Sequence, residues 1–244
     1  MIARVLRNTE LAPMADLVSP ALWKVVSWRE PWKAMRQLLG NNRDRRRFAE
    51  LVDALQGDEL RLVDGPTGQS VLDLADDAAL ARVTGEALLE LFFRQLLTRD
   101  TVLLDLRPQR LGLEGEALCW WPKRYYFRWS ETVGAGLRGL YEGFYGEREE
   151  LFIASLAALS LTPAEAVFRQ HFQSTTAQRF EVAALMETLN EVFEVCAAAK
   201  VKLSGEFVAF GFYLTALYQS LEALGAMLDV RSCYARVETL SSPS

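Results

Sequence analysis

The 244-residue chain has one histidine, His171, and three cysteines, Cys119, Cys196 and Cys233. A single imidazole excludes multi-histidine metal centres and leaves one candidate for a histidine-based triad. The three scattered thiols form neither a zinc spacing nor a disulfide framework, so they read as reduced thiols of a reducing compartment. A basic surplus is also missing. The 27 Lys and Arg against 32 Asp and Glu leave a formal charge of −5, which speaks against a nucleic-acid partner. There is no GxxxxGKS/T phosphate loop, no GxSxG elbow, no HExxH and no CxxC. No continuous apolar run opens the chain before Glu10 and Asp16, so no secretory leader is expected, and neither end carries a lipidation box.

Half of the residues are apolar and 24% are charged, the composition of a chain that buries a core. The longest apolar stretch, Phe207 to Leu228, approaches membrane-spanning length. Gln219 and Glu222 interrupt it and Gly211 and Gly225 weaken it, so it reads as a buried helix. Charge is unevenly spread: residues 1–50 hold ten Lys and Arg against five acids. That segment also carries Trp23, Trp28 and Trp32, interleaved with Lys24, Arg29 and Lys33. This mixture suits a membrane surface or an anionic partner, and it suits equally tryptophans capping a core beneath solvated bases.

Apolar spacing predicts a helix over 41–55, then a hairpin over 59–74 around the turn signal DGPTG. A helix over 76–98 has acids in its first turn. A second β patch follows, TVLLDL and then RLGLEGEALCWWP, with Glu114-Gly115 as its turn. From Ser130 the chain reads as helical, over about 131–145, 147–160, 163–173, 176–200 and 205–229. Thr162-Pro163 is expected as an N-cap with proline at the first helical position, and TLSSPS as a frayed end. The glycines of GAGLRGLYEGFYG follow no expected strand, so they read as helix-packing residues. His171 reads as a packing residue of its helix. The cluster CWWPKRYYFRW reads as a packed hairpin with cations reaching to solvent, with base stacking as the rejected alternative.

The string ALLELFFRQLLTRDTVLLDLRPQRLGLEGEAL, with the helical segments after it, resembles the UbiB/AarF family of atypical kinase-like proteins of isoprenoid quinone biosynthesis. The resemblance covers roughly residues 45–235. It places Asp105 on the aspartate of the family's HADPHPGN loop and Pro108 on its second proline. Arg107 and Arg110 fall on its second histidine and its asparagine. Trp120 or Trp121 falls where the DFG-type aspartate belongs. Phosphoryl transfer needs Mg²⁺ held by that aspartate and asparagine, and a lysine to pair the nucleotide phosphates. Both metal ligands are replaced, and no lysine lies between Lys33 and Lys123.

The resemblance therefore implies an α+β, predominantly α, degenerate protein-kinase-like fold, with a small β-containing front half and a helical C-terminal half. Residues 1–45 would be a basic, Trp-rich segment and 46–244 the kinase-like domain, divided near 97/98. The expected function is a non-catalytic binding or scaffold protein accessory to isoprenoid, quinone or other lipid-linked biosynthesis. It would be cytoplasmic, with a protein partner or lipid-like ligand and a peripheral membrane contact through Trp23, Lys24, Trp28, Arg29, Trp32 and Lys33. No cofactor or metal is expected, although ATP is compatible with the fold. Arg107 and Arg110 would bind an anion or nucleotide directly. Two alternatives remain: an unusual ATP-dependent enzyme using Asp105, and a helical ligand- or partner-binding domain unrelated to kinases. A plainer role for Asp105 is a strand-end carboxylate paired with Arg107 or Arg110.

Overall fold

The computed structural model describes residues 20–26, 44–55, 60–172 and 177–241. Along the chain run α1 (Pro20–Val25), α2 (Arg45–Asp53), β1 (Leu60–Leu62), β2 (Gln69–Ser70), α3 (Ala78–Thr98), β3 (Thr101–Leu103), β4 (Leu111–Glu114), β5 (Ala117–Trp120) and β6 (Tyr126–Arg128). Then follow α4 (Glu131–Tyr145), α5 (Glu149–Ala158), α6 (Glu165–Phe172), α7 (Val182–Ala198), α8 (Glu206–Leu224) and α9 (Val230–Ser241). The fold is α+β with helix dominant.

The chain divides into two compact units. Described residues of the first are 20–26, 130–172 and 182–215, and those of the second are 44–55, 60–129, 177–181 and 216–241. Helix α8 gives residues 206–215 to the first and 216–224 to the second.

The first unit is helical. Ser130 caps α4 by accepting from the Val133 N–H at 3.4 Å. The α4 glycines let α5 approach closely. A Cβ on Gly139 would lie 2.3 Å from the Ser155 hydroxyl oxygen, and one on Gly143 2.4 Å from the backbone nitrogen of Phe152. Tyr141, Phe144, Tyr145, Phe152, Phe168 and Phe172 pack as one aromatic cluster, which Phe210 joins through Tyr141. Val26 forms an isolated parallel bridge with Leu203, next to α1.

The second unit holds the strands. The sheet order is β1-β5-β4-β2, with β1 parallel to β5 and the other pairs antiparallel, while β3 and β6 form a separate antiparallel pair. Asp77 starts α3 by accepting from the N–H groups of Ala79 and Leu80, both at 3.1 Å. Gln95 of α3, fully buried, then acts as a strand partner for Leu103: it accepts from its N–H at 2.8 Å and donates to its carbonyl at 3.4 Å. Helix α9 packs on α3 through an edge-on Phe93–Tyr234 contact, and Arg236 reaches Glu90 at 2.5 Å and Glu86 at 3.0 Å.

Several expectations are corrected. Residues 59–74 form no hairpin: β1 and β2 sit at opposite edges of the sheet, because each finds a partner in the β4–β5 hairpin. The cluster of 119–129 is not one hairpin either, since β5 and β6 belong to different sheets. Strand β6 directly precedes α4, so the glycine run does follow a strand. Thr162 is not an N-cap; it lies inside a 3₁₀ turn, Thr162–Ala164, that leads into α6. Residues 177–181 are not helical, and Gln178 instead bridges Leu228. Helix α8 stops at Leu224 because Gly225 turns to φ +63°. Helix α9 was not expected. Helix α8 is long and apolar enough to cross a membrane, yet 78% of its apolar window is buried within the protein, as in a core helix.

Two predictions follow from the first unit. Gly143→Ala drives a methyl into the Phe152 backbone, so it should destabilise by about 2 kcal/mol despite alanine's better helix propensity. Unchanged urea unfolding would refute the close contact. Burial pushes His171 down from 6.5 to about 4. The unfolded chain therefore takes up a proton that the folded unit refuses, and stability is full above pH 6.5 but falls as pH drops toward 4. His171→Gln should flatten that acid limb by about 3 kcal/mol, measured as unfolding free energy against pH.

Candidate functional site

Asp105 and Arg107 lie on the segment between β3 and a 3₁₀ turn, Pro108–Arg110, which the buried Pro108 opens. The segment is held from several directions. The Leu104 N–H donates to the Tyr125 carbonyl at 2.8 Å, and the Trp120 indole N–H donates to the Asp105 carbonyl at 2.7 Å. The Ser220 hydroxyl donates to the Leu106 carbonyl. Trp121 in turn donates its backbone N–H to the Arg110 carbonyl at 3.0 Å. These bonds join the segment to β5, to the stretch before β6 and to α8.

Asp105 is 2% exposed and Arg107 5% exposed. The Arg107 Nε donates to Asp105 Oδ1 at 2.5 Å and its Nη2 to Oδ2 at 3.0 Å, a forked, bidentate pair. Oδ2 also accepts from the backbone N–H of Lys123 at 2.9 Å. The Arg110 Nε lies 3.8 Å from the same oxygen. The structure thus brings together Asp105, Arg107 and Arg110, with two guanidinium groups facing one carboxylate.

Beside this pair opens a cleft of about 590 Å³. Phe48 and Val52 of α2 form one wall, and residues 62–66 form another. Arg110 and residues 121–125 complete the lining. The wall formed by 62–66 is fixed by the glycine after it. Gly68 has φ +73°, and a Cβ there would lie 2.3 Å from the Leu113 carbonyl oxygen. The lining's ionisable side chains are Arg110, Lys123, Arg124, Asp64 and Tyr125. The cations outnumber the carboxylate, and aromatic rings from Phe48, Trp121 and Tyr125 stand among them. Trp121 is largely buried, and its indole N–H has no hydrogen-bond partner among the described residues.

The sequence reading named Arg110 for such a site and passed over Trp121, Lys123, Arg124 and Tyr125. Their signal was the alternation of rings and cations in CWWPKRYYFRW, which reads equally well as a solvated hairpin. In the fold that string divides: Trp120 is fully buried, 121–125 line the cleft, and Tyr126–Arg128 pair with β3.

Other candidates sit elsewhere. The glycines from Gly134 to Gly139 spell GxGxxG, but they lie in the body of α4, where the Gly134 N–H bonds the Ser130 carbonyl at 2.8 Å. Amides engaged in a helix cannot cradle phosphate. His171 packs edge-on against Phe172. Lys24 is exposed, and its carbonyl accepts from Lys202 Nζ at 2.7 Å. Trp28, Arg29, Trp32 and Lys33, like the Trp23 side chain, fall outside the described residues. The three cysteines are free and buried, and burial pushes the Cys233 thiol up to about 12. Among the described residues no group of three or more His, Cys, Asp or Glu is placed to hold a metal ion. No family model and no curated protein matches this chain.

A buried ion pair is costly to break from one side, because the partner left behind is a buried charge. Asp105→Ala should destabilise the protein by about 3–5 kcal/mol. The double change Asp105→Ala with Arg107→Met should recover part of that loss. Measured unfolding free energies that simply add would refute the coupling.

Proposed function

We propose that the chain is a non-catalytic, pseudokinase-like binding or scaffold protein. The observation that carries this reading is the engagement of Asp105. Both of its carboxylate oxygens accept charge-assisted or backbone hydrogen bonds, and the side chain is almost wholly out of solvent. A general base or metal ligand needs an accessible lone pair, whereas Arg107 and the Lys123 amide donate three hydrogen bonds to a carboxylate that has about four such sites and is out of solvent.

The order of elements supports the same reading. Helix α3, the Asp105 segment, the short strand β4, a turn at Gly115 and the strand β5 follow the order of the family's loop and metal-binding strand. In that correspondence Arg110 stands at the metal-binding asparagine and Trp121 immediately after β5. Arg110 presents a positive charge where a cation would have to bind, and an indole offers no metal ligand. The remainder rests on sequence resemblance and composition. This includes the accessory role in isoprenoid, quinone or other lipid-linked biosynthesis, the cytoplasmic location and the peripheral contact through the N-terminal Trp and Lys/Arg residues.

The test is a thermal-shift titration with ATP and ADP, each with and without Mg²⁺, on the full chain. A ligand that binds the native state alone adds about 2.7 kcal/mol at a hundredfold excess over Kd, several degrees in melting temperature. The expected result is no Mg²⁺-dependent shift and no nucleotide turnover. A Mg²⁺-dependent shift accompanied by turnover, with both lost in a folded Asp105→Asn protein, would establish the enzyme instead.

A further inference from the structure

The cleft beside the Asp105–Arg107 pair has a chemistry that the proposed function leaves unspecified. Its volume of about 590 Å³ suits a small molecule. In its lining Arg110, Lys123 and Arg124 contribute three cations against the single carboxylate of Asp64. A further carboxylate, Asp105, lies 3.8 Å from the Arg110 Nε and is itself held by Arg107 in a forked pair. Such a lining repels metal ions and cationic ligands. It matches an anion carrying more than one negative charge, which guanidinium and ammonium groups neutralise directly.

The uncharged residues of the lining are mostly aliphatic or aromatic. Phe48 and Val52 come from α2, while Trp121, Pro122 and Tyr125 come from the stretch between β5 and β6. Aromatic rings beside fixed cations suit a planar apolar body attached to the charged group. The backbone behind this surface is fixed by the Lys123 amide on Asp105 and the Trp121 amide on the Arg110 carbonyl. The cations therefore stand on a braced segment, which lowers the ordering cost of binding.

We propose that this cleft binds a phosphate monoester, or a comparable doubly charged anion, carried on a flat apolar group. The anion lies against Arg110, Lys123 and Arg124, and the apolar group packs among Phe48, Trp121 and Tyr125. This deepens the binding reading above and rests on it for the cleft's role.

The test is calorimetric titration of the full chain with naphthyl phosphate, with naphthol and inorganic phosphate as the two half-ligands. The expected result is one site per chain, with each half-ligand binding at least about tenfold more weakly. Lys123→Ala and Arg124→Ala should each weaken naphthyl phosphate by about tenfold, in proteins that still unfold cooperatively. Lys123→Ala keeps the backbone amide that Asp105 uses, and Arg128→Ala, outside the cleft, should have no effect. No binding at millimolar naphthyl phosphate overturns the proposal, and so does an affinity that neither cleft variant alters.

Phosphatidylcholine vesicles with and without phosphatidic acid distinguish the source of the anion. Vesicle binding that requires phosphatidic acid and is displaced by naphthyl phosphate assigns the site to a lipid headgroup. Binding of the free phosphate alone assigns it to a soluble compound. Failure to bind either form, without Mg²⁺-nucleotide turnover, removes the ligand class and leaves the non-catalytic reading standing. Nucleotide turnover alongside intact naphthyl phosphate binding does the reverse.

Discussion

A carboxylate and a guanidinium can leave water together only when each lone pair and N–H they bring inside finds a partner. In the second unit that requirement falls on Asp105 and Arg107, and much of the surrounding backbone is arranged around it. The carboxylate takes the Arg107 fork and the Lys123 amide, while its own carbonyl takes the Trp120 indole. Two of these partners come from residues 120–123, so Asp105 ties the segment after β3 to the end of β5 and to the stretch that leads into β6. A hydrophobic pair of the same size would fill the volume and would specify none of these directions.

The cleft is a consequence of that bracing. The Lys123 amide is drawn inward to Asp105, and its neighbours Trp121, Arg124 and Tyr125 are left along the cleft together with the Lys123 side chain. Residues 62–66, which also line the cleft, are held by the Val63 N–H, which donates to the Trp120 carbonyl at 2.9 Å, and by Gly68 lying against β4. The same fully buried tryptophan thus serves both sides, through its indole to Asp105 and through its carbonyl to Val63. The wall positions are therefore coupled to the ion pair.

What was legible in the sequence is what local chemistry decides. Asp77 at the start of α3, Ser130 at the start of α4 and the Glu114-Gly115 turn of the β4–β5 hairpin each rest on residues within four of one another. The misread features depend on distant partners. DGPTG carries every sign of a hairpin turn, but β1 and β2 find better edges on β5 and β4, and no local pattern encodes that choice. Strand β6 is three residues long and exists because β3 offers an edge some 25 residues earlier. Helix α9 is no more apolar than the chain as a whole, and its place comes from Tyr234 and Arg236 meeting α3. The candidate site divides in the same way. Asp105, Arg107 and Arg110 fall within six residues and could be named together, whereas the cleft draws on α2, β1, the loop after it and residues 121–125.

The identity of residue 110 carries the functional argument furthest. In a phosphoryl-transfer site the protein supplies carboxylate and amide oxygens, and the metal ion supplies the positive charge that moves with the phosphate. In the correspondence proposed above, Arg110 takes the amide position and supplies positive charge from the protein itself, in a planar fork. In the binding role proposed above, that charge holds the anion in its bound ground state and is not asked to stabilise a transition state. Uniform binding of that kind lowers a dissociation constant and leaves a barrier where it was. With both Asp105 oxygens engaged by Arg107 and the Lys123 amide, the role proposed for the site is recognition without turnover.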